Sequence, residues 1–130
     1  MLRAVILEHR RPDGSAHFDW LVEIRPGPDP DERALAALRV STRPDLAECA
    51  GFDAERIRDH RRWYLDHEGA VPGGRGMVRR RAAGAVRRAQ INPDRAEFVI
   101  DWGRGAMRYL GVRAPDGLRW RFTVEKIDAR

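Results

Sequence analysis

The chain has 130 residues, of which 42% are hydrophobic, and it carries a formal net charge of +5. This length and apolar content predict one globular domain, residues 1–130, and exclude a disordered chain. Cys49 is the only cysteine, which excludes an internal disulfide and a metal cluster built on cysteines. The apolar run at the N-terminus is too short for a signal peptide or a membrane span, so we expect a cytoplasmic protein with no membrane contact.

The first part of the chain predicts a β-hairpin. Residues 2–8 are apolar enough for one strand, and residues 17–25 alternate between apolar and polar side chains, as expected of a second strand. The Pro-Asp-Gly sequence between these two strands supplies turn chemistry. A loop rich in proline and acidic residues, 26–32, follows the hairpin.

The middle of the chain is less regular. Residues 34–41 fit either a strand or a short helix, and residues 44–58 predict an irregular segment with a helical turn near its end. Residues 59–69 predict a turn of helix followed by an extended segment. The sequence GGRGMVRRRAAG then predicts a glycine loop that leads into a basic strand.

The C-terminal part predicts three further strands, at residues 96–102, 106–114 and 118–127, joined by short glycine-containing turns. Short strands with turn signals at this spacing are typical of an antiparallel barrel or sandwich. We predict a mainly β fold: a small antiparallel β-barrel with one or two short helices or helical turns.

The predicted hairpin concentrates metal-binding side chains on one face. Strand alternation places His17, Asp19 and Glu23 on the same side of the second strand. The turn places His9 opposite His17, and directly paired residues on one sheet face have Cβ atoms about 4.5–5.5 Å apart. Two imidazoles and a carboxylate suit Mn, Fe or Zn, so we predict His9, His17 and Asp19 as metal ligands, with Glu23 orienting one of them. The alternative is that each histidine has a structural role.

His60 and Tyr64 form a second candidate pair. They are four residues apart and point the same way if their segment is one helical turn. A protonated histidine and a phenol can both donate hydrogen bonds to phosphate oxygens. The alternative is that His60 caps a turn and Tyr64 packs in the core. His67 is compatible with either role.

The segment between Gly69 and Gln90 has no acidic residue. A local positive field of this kind favours phosphate-rich partners, while the alternative is a solvated basic strand and loop. The segment contains six arginines: Arg75, Arg79, Arg80, Arg81, Arg87 and Arg88.

Three sequence motifs together carry a family resemblance. His9 is followed by a short loop and HFDWLVE, which fits the pattern His-aromatic-Asp-aromatic-x-Leu/Val-Glu. Further along, DHRRWYLDHEG fits Asp-His-x-x-x-Tyr-x-x-x-Glu-Gly, and the glycine-rich GGRGMVRR and the closing RWRFTVEK follow it. In this order and at these separations, the motifs resemble the 3′-phosphoesterase module at the N-terminus of bacterial DNA ligase D, the polymerase–ligase of non-homologous end joining, and its stand-alone relatives.

The resemblance implies a small β-barrel with a cleft for a divalent metal, Mn²⁺ by expectation, with Zn²⁺ or Co²⁺ as alternatives. It implies a hydrolase of DNA repair that removes a terminal 3′-ribonucleoside and then a 3′-phosphate from DNA or RNA–DNA ends. By position, it assigns as metal ligands His9, His17 and Asp19. It also implies that His60 and Tyr64 contact the phosphate and that Glu23 supports the metal ligands.

The chain departs from the family pattern at two places. The loop between His9 and His17 is longer, but an even insertion at a hairpin tip leaves the two histidines paired. Leu21 stands where the family has an arginine that is expected to bind the reacting phosphate. The candidates for phosphate or nucleic-acid contact in this chain are Arg58, Arg61, Arg75 and Arg79.

Two other functions remain open at the level of sequence. One is a module of the same fold that has lost catalysis and binds nucleic-acid ends or a protein partner. The other is a metal enzyme that acts on a small phosphorylated molecule. If the protein is the metal-dependent 3′-phosphoesterase, we expect a polymerase or ligase to act from a separate chain.

Overall fold

The structure is a computed structural model, and it describes residues 1–46 and 50–127. Cys49 lies outside the described residues. In the described part of the chain there are nine β-strands and one short 3₁₀ turn, which confirms the predicted mainly β fold. No helix in these residues is long and apolar enough to cross a membrane.

The strands form one antiparallel sheet that closes on itself. The strands are β1 Leu2–Arg10, β2 Ala16–Glu23, β3 Leu35–Val40, β4 Gly51–His60, β5 Gly69–Ala70, β6 Met77–Ile91, β7 Arg95–Asp101, β8 Ala106–Arg113 and β9 Arg119–Lys126, and the 3₁₀ turn is Arg62–Leu65. The sheet order is β1-β2-β3-β4-β9-β8-β7-β6, and β1 also pairs with β6, so the eight long strands form a ring and confirm the predicted barrel. The short β5 pairs with the first residues of β6.

The interior of the barrel is an aromatic core. Alternate residues of all eight long strands point inward and are buried. Trp20 lies at the centre, in edge-to-face contact with the rings of Phe52, Phe98, Tyr109 and Phe122 at centroid distances of 4.8–5.7 Å. Such edge-to-face pairs add specific geometry to the hydrophobic burial, so the rings around Trp20 form the centre of the barrel core.

A second core covers part of the outer surface of the barrel. The 3₁₀ turn and the residues after it pack over outward-facing side chains of β1, β2 and β3. This covering explains why β1 is apolar at four successive positions, since both of its faces are buried. The outer core consists of Val5, Leu7, Leu21, Leu35, Ala37, Tyr64, Leu65, Val71 and Val78.

The prediction for residues 44–58 is wrong, because β4 begins at Gly51. Phe52 and Ala54 are buried while Asp53 and Glu55 are exposed, which is a strand pattern with charged residues on the outer face. Pairing with β3 and β9 stabilises this extended conformation through contacts that are distant in sequence. The segment at residues 34–41, which fitted either element, is the strand β3.

The buried guanidinium of Arg62 anchors the 3₁₀ turn to the barrel. Its Nε donates to Oε2 of Glu23 at 2.8 Å, and Nη2 donates to Oε1 of Glu32 and the carbonyl of Arg25, each at 3.0 Å. Nη1 donates to the carbonyl of Asp29. A buried charge is tolerated only when it is paired and hydrogen-bonded, and these contacts meet that condition. The network therefore holds the turn, and with it Tyr64, over the outer core.

Candidate metal centre

The hairpin brings the three predicted metal ligands together on the outer face of the barrel. His9 and His17 are direct partners across β1 and β2, as the sequence predicted. His17 Nε2 lies 2.8 Å from Oδ1 of Asp19, and His9 Nδ1 lies 3.2 Å from Oδ2. One potential ligand atom from each residue lies within 4.8 Å of the other two. This group could hold a metal ion.

The two ring nitrogens of His9 face different partners. Nε2 lies 2.7 Å from the carbonyl oxygen of Arg75. A carbonyl only accepts hydrogen bonds, so Nε2 carries a hydrogen, and Nδ1 is the nitrogen that faces the Asp19 carboxylate. A proton or a metal cation between Nδ1 and the carboxylate oxygen would satisfy both groups, and imidazole and carboxylate donors suit a transition metal.

The Asp19 carboxylate is charged although it is only 5% exposed. Burial favours the neutral acid, but the hydrogen bond from His17 and the electrostatic interaction with that imidazole outweigh burial and hold the pKa of Asp19 below its ordinary value. The carboxylate is therefore ionised at neutral pH, which is the form that binds a metal.

The carbonyl of Arg75 orients His9, which is the role that the sequence suggested for Glu23. A metal-binding histidine usually donates its other N–H to a carbonyl or carboxylate, and this donation fixes the ring. Glu23 instead accepts from the backbone N–H of Arg3 at 3.0 Å and from Arg62 at 2.8 Å. Its carboxylate thus belongs to the anchor of the 3₁₀ turn, in contrast to our expectation.

A glycine allows the Arg75 carbonyl to reach His9. Gly76 has φ of +104°, and a Cβ there would collide with the backbone carbonyl of Arg10. The backbone N–H of Val71 donates to the carbonyl of Gly76 at 2.8 Å and closes the loop. Gly76 thus lets the loop lie against the end of β1 at the point where His9 needs its acceptor.

If the cluster holds a metal ion, we expect Gly76→Ala to weaken its binding by about 10- to 100-fold, because loss of an orienting partner of a metal ligand has effects of this size, and Mn²⁺ serves as the probe. The matched control is Gly74→Ala, where φ is +68° but no atom lies within 4 Å of the new Cβ. Both changes carry the left-handed backbone cost of about 1–2 kcal/mol, so both lower the thermal midpoint. Calorimetric Mn²⁺ titration distinguishes the two variants, because only Gly76→Ala should lower the affinity. Equal affinities would contradict the orienting role of the loop.

A cavity of about 480 Å³ adjoins the cluster. It contains two of the predicted metal ligands, both residues predicted to contact phosphate, and arginines from several parts of the chain. Those lining residues are His9, Asp19, His60, Tyr64, Arg11, Arg39, Arg58 and Arg75. The cavity therefore places cationic and hydrogen-bonding groups beside the cluster.

His60 is neutral, which differs from the protonated state considered from the sequence. Burial lowers its pKa below the ordinary value, although the hydrogen bond to the Arg58 carbonyl and the charge of Asp19 act in the opposite direction. His60 Nδ1 lies 2.8 Å from that carbonyl, so Nδ1 carries the hydrogen. Nε2 is left as a proton acceptor.

Tyr64 combines the two roles that the sequence left as alternatives. It is 7% exposed and packs in the outer core, and it also lines the cavity. Its ring lies 5.2 Å from the ring of His60, but the two residues do not share one helical turn, because His60 ends β4 and Tyr64 lies in the 3₁₀ turn. Among the described residues, no group hydrogen-bonds to the Tyr64 hydroxyl.

Of the four arginines predicted to contact phosphate, two line the cavity. Arg58 and Arg75 do so, and neither forms an ion pair with a carboxylate in the described part of the chain. Arg61 lies outside the cavity lining, 3.4 Å from Asp31. Arg79 lines a different cavity, because it pairs with Glu8 and thus lies on the opposite face of the sheet from His9.

The basic segment carries less free positive charge than its sequence suggests. Three of its six arginines form ion pairs with carboxylates of other strands: Arg81 with Glu8 at 2.6 Å, Arg87 with Asp101 at 2.9 Å and Arg88 with Glu97 at 3.0 Å. Arg80 donates to the carbonyl of Leu65. Of the other three arginines of the segment, only Arg75 lines the cavity beside the metal cluster.

His67 has a structural role. Its Nε2 donates to the carbonyl of Ala70 at 2.7 Å, and its ring stacks on Trp63 at a centroid distance of 4.1 Å. These contacts hold the segment after the 3₁₀ turn. Sequence reasoning missed Arg11 and Arg39 as lining residues, because neither lies in a recognisable motif.

Comparisons with known proteins add no evidence about the candidate site. The chain matches no protein-family model and no curated protein. The likeness to the ligase D phosphoesterase module is therefore carried by the sequence motifs around His9, His17, Asp19, His60 and Tyr64 alone.

Proposed function

We propose that the protein is a metal-dependent 3′-phosphoesterase that removes 3′-phosphates and 3′-ribonucleotides from DNA ends in end-joining repair, with Mn²⁺ as its ion. The observation that carries the proposal is the convergence of His9, His17 and Asp19 beside a cavity that also contains His60 and Tyr64. The imidazole and carboxylate donors suit a divalent transition metal such as Mn²⁺. The adjoining arginines suit a phosphate ester.

The residues of the cavity supply the remaining chemistry of hydrolysis. When bound, the cation supplies Lewis acidity to a phosphoryl oxygen. The free Nε2 of His60 accepts a proton of the attacking water as the new P–O bond forms, and the P–O bond to the 3′ oxygen breaks, with that oxygen taking a proton from solvent to become the 3′-hydroxyl. The Tyr64 hydroxyl donates a hydrogen bond to a phosphoryl oxygen. The charges of Arg58 and Arg75 offset the negative charge of the ester.

The proposed substrate is the 3′ end of a DNA or RNA–DNA strand. Arginines without carboxylate partners around the cavity favour an anionic chain over a neutral ligand. A polymerase or ligase on a separate chain would then use the 3′-hydroxyl that remains, and the proposed location is the cytoplasm.

The test uses a 5′-labelled primer–template whose primer ends in a 3′-phosphate or in a single ribonucleotide. We expect Mn²⁺ to give a shortened or dephosphorylated product with a 3′-hydroxyl, and we expect a chelator to abolish it. Activity that survives both the chelator and His17→Ala would contradict the proposal. DNA binding that is steeply salt-dependent but gives no product would support the non-catalytic module, and turnover of small phosphoesters without DNA affinity would support a small-molecule enzyme.

A further inference from the structure

Arg39 lies directly beside the candidate metal centre. In the β2–β3 register it is the cross-strand partner of Asp19, so its side chain lies on the same outer face of the barrel. Both carboxylate oxygens of Asp19 face imidazoles, those of His9 and His17. The Arg39 side chain therefore leaves the sheet on the same face as this carboxylate, and the two form no ion pair in the described structure.

The guanidinium of Arg39 has few partners of its own. Its Nε is buried and has no hydrogen-bond partner among the described residues. Its ion pair is with Glu55 on β4, at 3.4 Å, and the two side chains are 36% and 53% exposed. Exposed pairs of this kind hold their partners weakly. The Nη donors of Arg39 that do not face Glu55 thus remain available to an anion.

Arg39 lines the same cavity as Asp19 and the two proposed catalytic residues, His60 and Tyr64. Leu21, two residues after Asp19, is fully buried in the outer core and cannot bind a ligand. The neighbouring strand β3 thus supplies the cationic side chain that lies nearest in register to the metal-binding carboxylate.

We infer that Arg39 binds the phosphoryl group that reacts in this cavity. The planar fork of a guanidinium matches two oxygens of a phosphate, and its charge is independent of pH in the working range. The ligand class is a phosphate ester with a free or singly esterified terminal phosphoryl group. The catalytic meaning of this contact rests on the proposed function, but phosphate binding itself does not require turnover.

The test compares Arg39→Gln and Arg39→Lys with a matched control, Arg121→Gln. Arg121 also forms an exposed pair at 3.4 Å, with Asp53, and it is not among the lining residues of the cavity. Binding of inorganic phosphate to the Mn²⁺-loaded protein is measured by ³¹P relaxation. Free Mn²⁺ is measured by electron paramagnetic resonance, and hydrolysis of the 3′-phosphate primer is measured in parallel.

We expect Arg39→Gln to bind phosphate about tenfold more weakly or worse, since hydrogen bonds to a charged group are lost. Arg39→Lys should be intermediate, because it keeps the charge and loses the fork. Mn²⁺ affinity should stay within about twofold in all three variants, as none of them is a metal ligand. Phosphate binding by Arg39→Gln and Arg39→Lys at the level of Arg121→Gln would overturn the inference.

The two proposals fail in different ways. Wild-type protein that binds phosphate through Arg39 but hydrolyses no primer would overturn the proposed function and leave the inference standing. Wild-type hydrolysis that is unchanged in kcat and KM by both substitutions of Arg39 would overturn the inference and leave the function standing. Wild-type protein that fails to bind phosphate overturns the inference. The conservative Lys variant keeps the test informative if the Gln variant does not fold.

Discussion

Asp19→Asn is expected to lower Mn²⁺ affinity by about a hundredfold or more and to abolish the proposed hydrolysis. Loss of a partner that merely orients a ligand has effects of about 10- to 100-fold, and a charged ligand should exceed that range. Asn has nearly the same shape as Asp, so the packing around this buried position is kept. The loss therefore reports the negative charge that faces His9 and His17.

The measurement is the thermal midpoint with and without Mn²⁺. A ligand that binds only the folded protein stabilises it by about 2.7 kcal/mol at a hundred times its dissociation constant. Wild-type protein should show this stabilisation, and so should the control Asp53→Asn, which changes an exposed carboxylate of β4. If Asp19→Asn retained the full Mn²⁺-induced shift, the three residues would not be the metal ligands.

The same variant has a defined pH dependence. The pKa of Asp19 is below its ordinary value in the folded protein, so the ionised carboxylate stabilises the fold. That stabilisation is complete above the unfolded pKa of about 4 and is lost as the pH falls through the lower folded value. The metal-free stability difference between wild type and Asp19→Asn should therefore shift against the wild type on acidification below about pH 4.

Arg62→Met is expected to lower the thermal midpoint by roughly 10–20 °C, because it leaves the buried Glu23 carboxylate without its partner. The Glu23 side chain is 6% exposed, so water cannot replace the guanidinium. The carbonyls of Arg25 and Asp29 also lose their donor, so the loop that precedes β3 keeps only its backbone hydrogen bonds to the 3₁₀ turn. Tyr64 lies in that turn, so hydrolysis should fall more than Mn²⁺ affinity does.

Thermal and urea unfolding measure the stability of Arg62→Met and of two further variants. Arg108→Met removes a partly exposed arginine that is 2.6 Å from Glu125 and 3.4 Å from Glu97, and it should change the midpoint by only a few degrees because water can reach both carboxylates. The double variant Arg62→Met with Glu23→Leu should recover part of the loss, since removing both members of a buried pair costs less than removing one. A single variant as stable as Arg108→Met would show that the network does not anchor the turn.

The hairpin and its His9–His17–Asp19 cluster were predictable because they depend only on residues that are close together in the sequence. Strand alternation and a single turn determine that His9 faces His17 and that Asp19 shares their side, and the structure has this register. The three C-terminal strands were predictable for the same reason. The β4 strand was missed because its outer residues are charged and its pairing partners, β3 and β9, are distant in sequence.

The ion pairs and protonation states around the site could not be predicted from the order of residues in the sequence. The arginine-rich segment has no acidic residue of its own, yet Arg81, Arg87 and Arg88 find carboxylates on other strands. His60 has the sequence context of a phosphate-binding histidine, but its burial between distant segments makes it neutral. Both outcomes depend on which residues become neighbours after folding.

The mainly β architecture and the meeting of His9, His17 and Asp19 follow from the amino-acid sequence, because periodicity and turn residues act over short separations. Three other contacts appear only in the folded barrel: the Arg75 carbonyl orients His9, Glu23 binds Arg62, and Arg39 lies opposite Asp19. Each of these contacts joins segments separated by a loop or by several strands. Closure of the barrel sets their distances, and no local pattern in the chain encodes them.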